Sequence, residues 1–256
     1  MEEKKILICE ESLDGIFTAV YEGWPEAAQG VFLEICTKEP DNLELFCTCR
    51  EILPDAEKAE KVARSIRRKL GVCVYQDLCY ALASTHPDKA TAVFQVLWQA
   101  LSGGRCNRRI MEALGDSYVS LVSKLRVKVW HEFHRHLGFV RFRELSGGLL
   151  LAQITPDNDI LELLGPHFAN RLPNENWMIY DEKRRKALLH PQQGTCVLYR
   201  DVVFTKEKLA ELALQEEYEE LWRAFVRSVT IEERKNPRLQ QQFLPLKYRG
   251  NMPEFL

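Results

Sequence analysis

The sequence predicts an α+β protein: a helix-rich N-terminal half with a small sheet, followed by an antiparallel β-β-α-β-β unit and C-terminal helices. Two observations carry this. Apolar residues recur at spacings of three and four through most of residues 1–115, and after Gly138 the apolar period switches from 3.6 to 2. The division into a helix-rich region 1–115 and an α+β region 116–256 is weak, because Asp116 leads straight into a long helical pattern.

Lys5-Ile6-Leu7-Ile8-Cys9 reads as a short buried strand, and a helix capped at Ser12 or Asp14 then carries Leu13, Ile16, Phe17, Val20 and Tyr21 until Gly23 and Pro25 end it. Leu43 to Thr48 reads as a second strand. Pro54-Asp55 opens an amphipathic helix with Ala59, Val62, Ile66 and Leu70 on one face, stopped by Gly71; helical spacing continues through Tyr75–Ala83 and Ala90–Leu101. Asp116 caps the longest helix, which presents Val119, Val122, Leu125, Val129 and Phe133 on one face and Lys124, Lys128, His131 and Arg135 on the other, ending at Gly138.

Beyond Gly138, Phe139, Arg141 and Arg143 alternate with Val140 and Phe142, and Ser146-Gly147-Gly148 joins this strand to Leu149–Ile154 as a hairpin. Thr155-Pro156-Asp157 then provides a cap for a helix with Ile160, Leu161, Leu164 and Phe168. Strands follow at Asn176–Tyr180 and Lys186–Leu189. A helix from Thr205 carries Leu209, Leu212, Leu221, Trp222 and Phe225, and Thr230 with Glu233 fits a capping box for another.

The chain has 256 residues, 46% apolar and 28% charged, enough to bury a core and unlike disordered or collagenous chains. Its apolar runs, such as Leu149–Ala152, fall far short of the roughly 20 residues that cross a bilayer, and Met1-Glu2-Glu3-Lys4-Lys5 does not resemble a signal peptide. The expectation is a cytoplasmic protein with no membrane contact, whose eight scattered cysteines are reduced thiols. Residues 1–120 carry 14 basic and 19 acidic side chains and residues 121–256 carry 21 and 18, so the C-terminal half suits an anionic partner better.

Lys124 to Arg143 contains six Lys/Arg, three His and the aromatics Trp130, Phe133, Phe139 and Phe142. Clustered cations neutralise phosphates, and rings stack on bases; a solvated helix face beside a core-facing aromatic row has the same composition. His131, Glu132, His134 and His136 lack the His-Glu-x-x-His spacing of zinc proteases, and the cysteines form no Cys-x-x-Cys or three-cysteine cluster run. No nucleophile elbow, phosphate-cradling loop or dinucleotide fingerprint occurs, so no metal or cofactor is expected. Asp157 and Asp159 could act as paired carboxylates, with capping the stronger reading of Asp157.

From Phe133 onward the sequence resembles the "probable DNA metabolism protein" family, a domain of unknown function. The matching residues are His134-Arg135-x-x-Gly138-Phe139-Val140-Arg141-Phe142-Arg143-Glu144, Pro156-Asp157-Asn158-Asp159-Ile160, Pro166-His167-Phe168-Ala169-x-Arg171 and Trp177-x-Ile179-Tyr180-Asp181. They continue with Leu221-Trp222-Arg223-x-Phe225, Ser228-x-Thr230-Ile231-x-x-Arg234, Asn236-Pro237-Arg238-Leu239-Gln240 and Pro245-x-Lys247-Tyr248, and Leu13-Asp14-Gly15-Ile16-Phe17-Thr18 extends the likeness toward the N-terminus. Where many relatives place an aromatic after the lysine-tyrosine pair, this chain has Arg249.

The resemblance implies a companion of a radical SAM protein proposed to repair or modify DNA, and a domain also found fused to uracil-DNA glycosylase-type domains. It implies no catalytic residue. Single-stranded DNA or damaged duplex is then the expected ligand. The candidate phosphate contacts are Lys124, Lys128, His134, Arg135, Arg141, Arg143, Arg171, Arg234, Arg238 and Lys247, with Tyr248 or Phe139 stacking on a base. Two rival readings stand beside it. One is an enzyme acting on a flipped base through Asp157 or Asp159 with His134 or His167; the other is a scaffold docking through its acidic N-terminal half.

Overall fold

The computed structural model describes residues 4–39, 47–102, 106–204, 217–231, 236–252 and 255, and the chain divides into two compact units, Met1–His131 and Glu132–Leu256. Helix predominates over strand among the described residues, with two separate sheets, an α+β mixture. The division falls inside the longest helix rather than at its start.

In the first unit, β1 (Lys4–Cys9) lies between β2 (Phe32–Cys36) and β3 (Cys47–Ile52), and both pairings are parallel. Helix α1 (Leu13–Ala28) is the crossover from β1 to β2, capped by the Ser12 hydroxyl, which accepts from the Gly15 N–H at 3.0 Å. It runs through Gly23 and Pro25 instead of stopping there. Gly23 serves packing: a Cβ would lie 2.8 Å from Leu33 Cδ1 and 2.9 Å from Leu7 Cδ1. Strand β2 was not expected; of the second expected strand, 43–46 lie outside the described residues, and β3 starts at Cys47.

Helix α2 (Ala56–Lys69) is capped by Asp55, whose carboxylate accepts from the N–H groups of Glu57 and Lys58. Gly71, at a φ of +105°, separates it from α3 (Val72–Leu82), and α4 (Lys89–Leu101) follows. Ile16, Phe17, Leu33, Ile66, Leu78 and Phe94 anchor the core between these helices and the sheet. Asp116 caps α5 (Ser117–Phe139) as expected, accepting from Tyr118 and Val119 at 2.8 and 3.0 Å, and Val119, Val122 and Leu125 join the same core.

In the second unit the sheet order is β4 (Phe142–Leu145), β5 (Leu149–Ile154), β6 (Asn176–Asp181), β7 (Lys186–His190) and β8 (Val197–Tyr199). The expected hairpin is present: Gly147 and Gly148 turn it at φ of +93° and +76°, a conformation side-chain-bearing residues avoid. The sheet is mixed, not antiparallel throughout. Helix α6 (Leu161–Arg171) is a crossover, so β5 and β6 run parallel. Phe142, Ala152, Trp177, Ile179 and His190 line the face that packs α6 through Phe168, whereas Leu145, Leu151, Tyr180 and Ala187 on the other face meet Val202 and Phe204.

Two expectations fail locally. Phe139 ends α5 rather than starting a strand, because the Val140 N–H still bonds the His136 carbonyl. Asp157 does not cap α6, whose N-cap is Ile160. Of the last expected helices, 205–216 and Glu233 lie outside the described residues. Helix α7 spans Glu217–Val229, the Thr230 hydroxyl donates back to the Val226 carbonyl at 2.6 Å, and α8 (Pro237–Phe243) takes Asn236 as its cap.

Candidate functional site

The basic residues named from the sequence fall into three groups. Lys124 and Lys128 are exposed on the turns of α5 that belong to the first unit; His134 and Arg135 are exposed on those of the second. Arg141 and Arg143 are half-buried where α5 passes into β4. The Arg141 guanidinium donates to the Gly138 carbonyl at 2.8 Å and the Val140 carbonyl at 3.4 Å, placing a cation on the negative end of the α5 dipole. Arg143 pairs in register with Leu151. Arg171 and Arg238 are exposed in α6 and α8, and Arg234 lies outside the described residues.

The last two residues occupy a different environment. Lys247 donates to Asp157 Oδ2 at 2.5 Å and to Glu132 Oε1 at 3.4 Å. Tyr248, only 9% exposed, meets His136 edge-to-face at 5.1 Å between ring centroids and Phe139 at 5.2 Å. Both rings proposed for base stacking therefore pack within the protein.

Beneath them lies a polar knot that the sequence reading missed. Glu132 is 5% exposed; its Oε1 accepts the Asp157 N–H at 2.8 Å, and its Oε2 accepts the Asn158 N–H at 2.9 Å and the Asn158 side-chain amide at 2.6 Å. One turn on, buried His136 places Nδ1 2.9 Å from the Glu132 carbonyl; that oxygen can only accept, so Nδ1 carries the proton. The loop is also held from beyond: Arg184 donates to the Pro156 and Asp157 carbonyls and to buried Asp181. The cavity beside His136, Phe139 and Tyr248 measures about 20 Å³, too small for a substrate. The knot fixes structure.

The signal for it was available in the helical period. Val122, Leu125 and Val129 continue at the same spacing to Glu132 and His136, so those two polar residues stand on the buried stripe of α5.

Burial pushes the Glu132 carboxyl up, but the Asp157 and Asn158 hydrogen bonds together with the Lys247 charge outweigh it, leaving the group below its ordinary 4.5. Burial holds His136 below 6.5, against the Glu132 carbonyl and charge. The unfolded chain then binds both protons more readily than the native one, so stability is full above about pH 6.5 and falls as pH drops, first through His136 and then below about 4.5 through Glu132. Asp181, pushed up from 3.8 by burial against the pull of Arg184, acts in the opposite sense at the acid end. In urea titrations from about pH 7.5 to 5.5, the stability difference between wild type and His136→Leu should shrink. A constant difference would remove His136 from the account.

The carboxylates named for base chemistry are engaged: Asp157 with Lys247, and Asp159 with Lys186 at 2.5 Å. His167 meets Phe168 edge-to-face at 5.0 Å. Among the described residues no three His, Cys, Asp or Glu side chains are placed to hold a metal ion, all eight cysteines are free thiols, and no helix is long and apolar enough to cross a membrane.

The family model DUF4130, a domain of unknown function, matches residues 87–254, well over half of the chain. The chain belongs to this family. The DUF4130 match takes in α4, α5 and nearly all of the second unit, including the Glu132 knot and every candidate phosphate contact named from the sequence. No curated protein matches the chain.

Proposed function

We propose that this DUF4130 protein is a cytoplasmic, DNA-binding accessory protein of DNA repair or modification that works with a radical SAM enzyme. The observation that supports it best is the passage from α5 to β4, where His134, Arg135, Arg141 and Arg143 fall within ten residues of one another in the second unit. Phosphate binding there gains from preorganisation. The Glu132 knot and the aromatic cluster under Phe142 fix the two elements, and Arg141 offsets the helix dipole that would otherwise repel an anion. The radical SAM partner rests on the family resemblance alone. In this reading the phosphate contacts are made by cations, without base stacking by Tyr248 or Phe139.

The test is fluorescence anisotropy with single-stranded, duplex, and uracil- or abasic-containing DNA across a salt series. Arg141→Ala/Arg143→Ala should weaken binding and flatten the log-log salt slope by up to about 1.8 on duplex, the release of about two counterion contacts. Unchanged affinity and slope would refute the assignment, and Lys124→Ala/Lys128→Ala measures the first unit's turns of α5 separately. An enzyme acting alone has less support, because Asp157 and Asp159 are both tied to lysines.

A further inference from the structure

The first unit contains a cleft of about 390 Å³ between α1, α2 and α4, within the size range of small-molecule sites. Its walls are Trp24 from α1, Val62 and Ile66 from α2, and Leu97 and Leu101 from α4, with Tyr21 at the rim. Only α2 brings charge. Lys61, Ser65 and Lys69 recur every four residues along the cleft side of that helix, which sets the two lysines about 12 Å apart along its axis.

The ion pairs of α2 involve Lys58, Arg64 and Arg67; of its other cations, Lys61, Arg68 and Lys69, two line the cleft. Lys58 pairs with Glu22 at 2.6 Å, and Arg64 and Arg67 pair with Glu60 at 3.7 and 2.9 Å. Among the described residues, neither Lys61 nor Lys69 pairs with a carboxylate. Lys61 instead stands 6.0 Å from the centroid of the Tyr21 ring, at the mouth. An apolar trough with an unneutralised ammonium toward each end complements an elongated apolar body bearing an acidic head; a neutral lipid or a sugar would leave the lysines or the walls unmatched.

We propose that this cleft binds a small amphipathic anion, an apolar chain or flat ring system with a terminal carboxylate or phosphate. The apolar part lies on Trp24, Ile66 and Leu97. The head is held by Lys61 or Lys69, with the Ser65 hydroxyl able to donate a further hydrogen bond.

Decanoate and decanol, alike except for the charge, test this on the full chain by isothermal titration and backbone amide shifts. Decanoate should bind saturably, one per chain, about two- to fivefold more tightly than decanol, and move the amides of α1, α2 and α4. Lys61→Gln/Lys69→Gln, at exposed positions that leave the core intact, should erase the preference for decanoate while keeping decanol binding. Ser65→Trp, which fills the middle of the cleft, should abolish both. The proposal is overturned if decanoate does not saturate, if decanol binds equally well, if the lysine variant keeps the preference, or if the shifted amides lie elsewhere.

Discussion

Glu132→Ala should lower the free energy of unfolding by about 2–5 kcal/mol, because it strands three hydrogen-bond donors, two of them buried. Alanine leaves the buried Asn158 N–H and side-chain amide without an acceptor, roughly 1–3 kcal/mol each, while the part-buried Asp157 N–H can turn to water at smaller cost. Glu132→Gln keeps the volume but turns an amide NH₂ toward those same donors, so it should rescue only part of the loss. Lys247→Met should cost less than about 1 kcal/mol, because its side chain is 45% exposed and solvent already screens its pairs with Asp157 and Glu132. Urea denaturation of the three variants checks the order. A Glu132→Ala cost below about 0.5 kcal/mol, typical of a surface helix position, would mean that the carboxylate does not hold the loop.

Local signals in the sequence read well and long-range ones did not. Asp116, the period of α5 and the glycine pair of the hairpin each act within a few residues, and each does what its chemistry implies. Glu132 shows where such reading stops. Its position on the buried stripe follows from Val122, Leu125 and Val129, but its partners lie 25 and 115 residues away, and no spacing rule connects an acid on a helix to a lysine near the end of the chain. Asp157 was misread for the same reason. A carboxylate before a helix usually caps it, and here its backbone N–H is drawn to Glu132 while its side chain goes to Lys247. Strand β2 is short and interrupted by Glu34, whose carboxylate pairs with Lys4; the strand forms because β1 and α1 offer it a parallel edge, a tertiary cause. The basic residues were legible as a cluster, but their division was not: Lys247 is part of the knot, whereas Arg141 caps a helix.

Trp177→Ala should cost the second unit roughly 3–5 kcal/mol, the usual range for emptying a large aromatic site. Trp177 is fully buried and stacks on His190 with ring centroids 4.9 Å apart and planes within 8°. The edges of Phe142 and Phe168 close the cluster at 6.2 and 6.3 Å. Its indole Nε1 is buried with no hydrogen-bond acceptor, so Trp177→Phe keeps the stack and loses only volume, about 1–2 kcal/mol. Phe142 links this cluster to the proposed interface, since it stands between Arg141 and Arg143 with its ring against Phe168 at 5.2 Å. The two kinds of variant should therefore separate in DNA binding. Trp177→Ala should lose affinity beyond the folded protein it loses, because a looser cluster under Phe142 holds β4 less firmly, while the salt slope is kept, because the same cations remain to meet phosphate. Arg141→Ala/Arg143→Ala should stay folded and flatten the slope. A flattened slope in Trp177→Ala at full folding would mean that the cluster under β4 itself sets the geometry of the contacts.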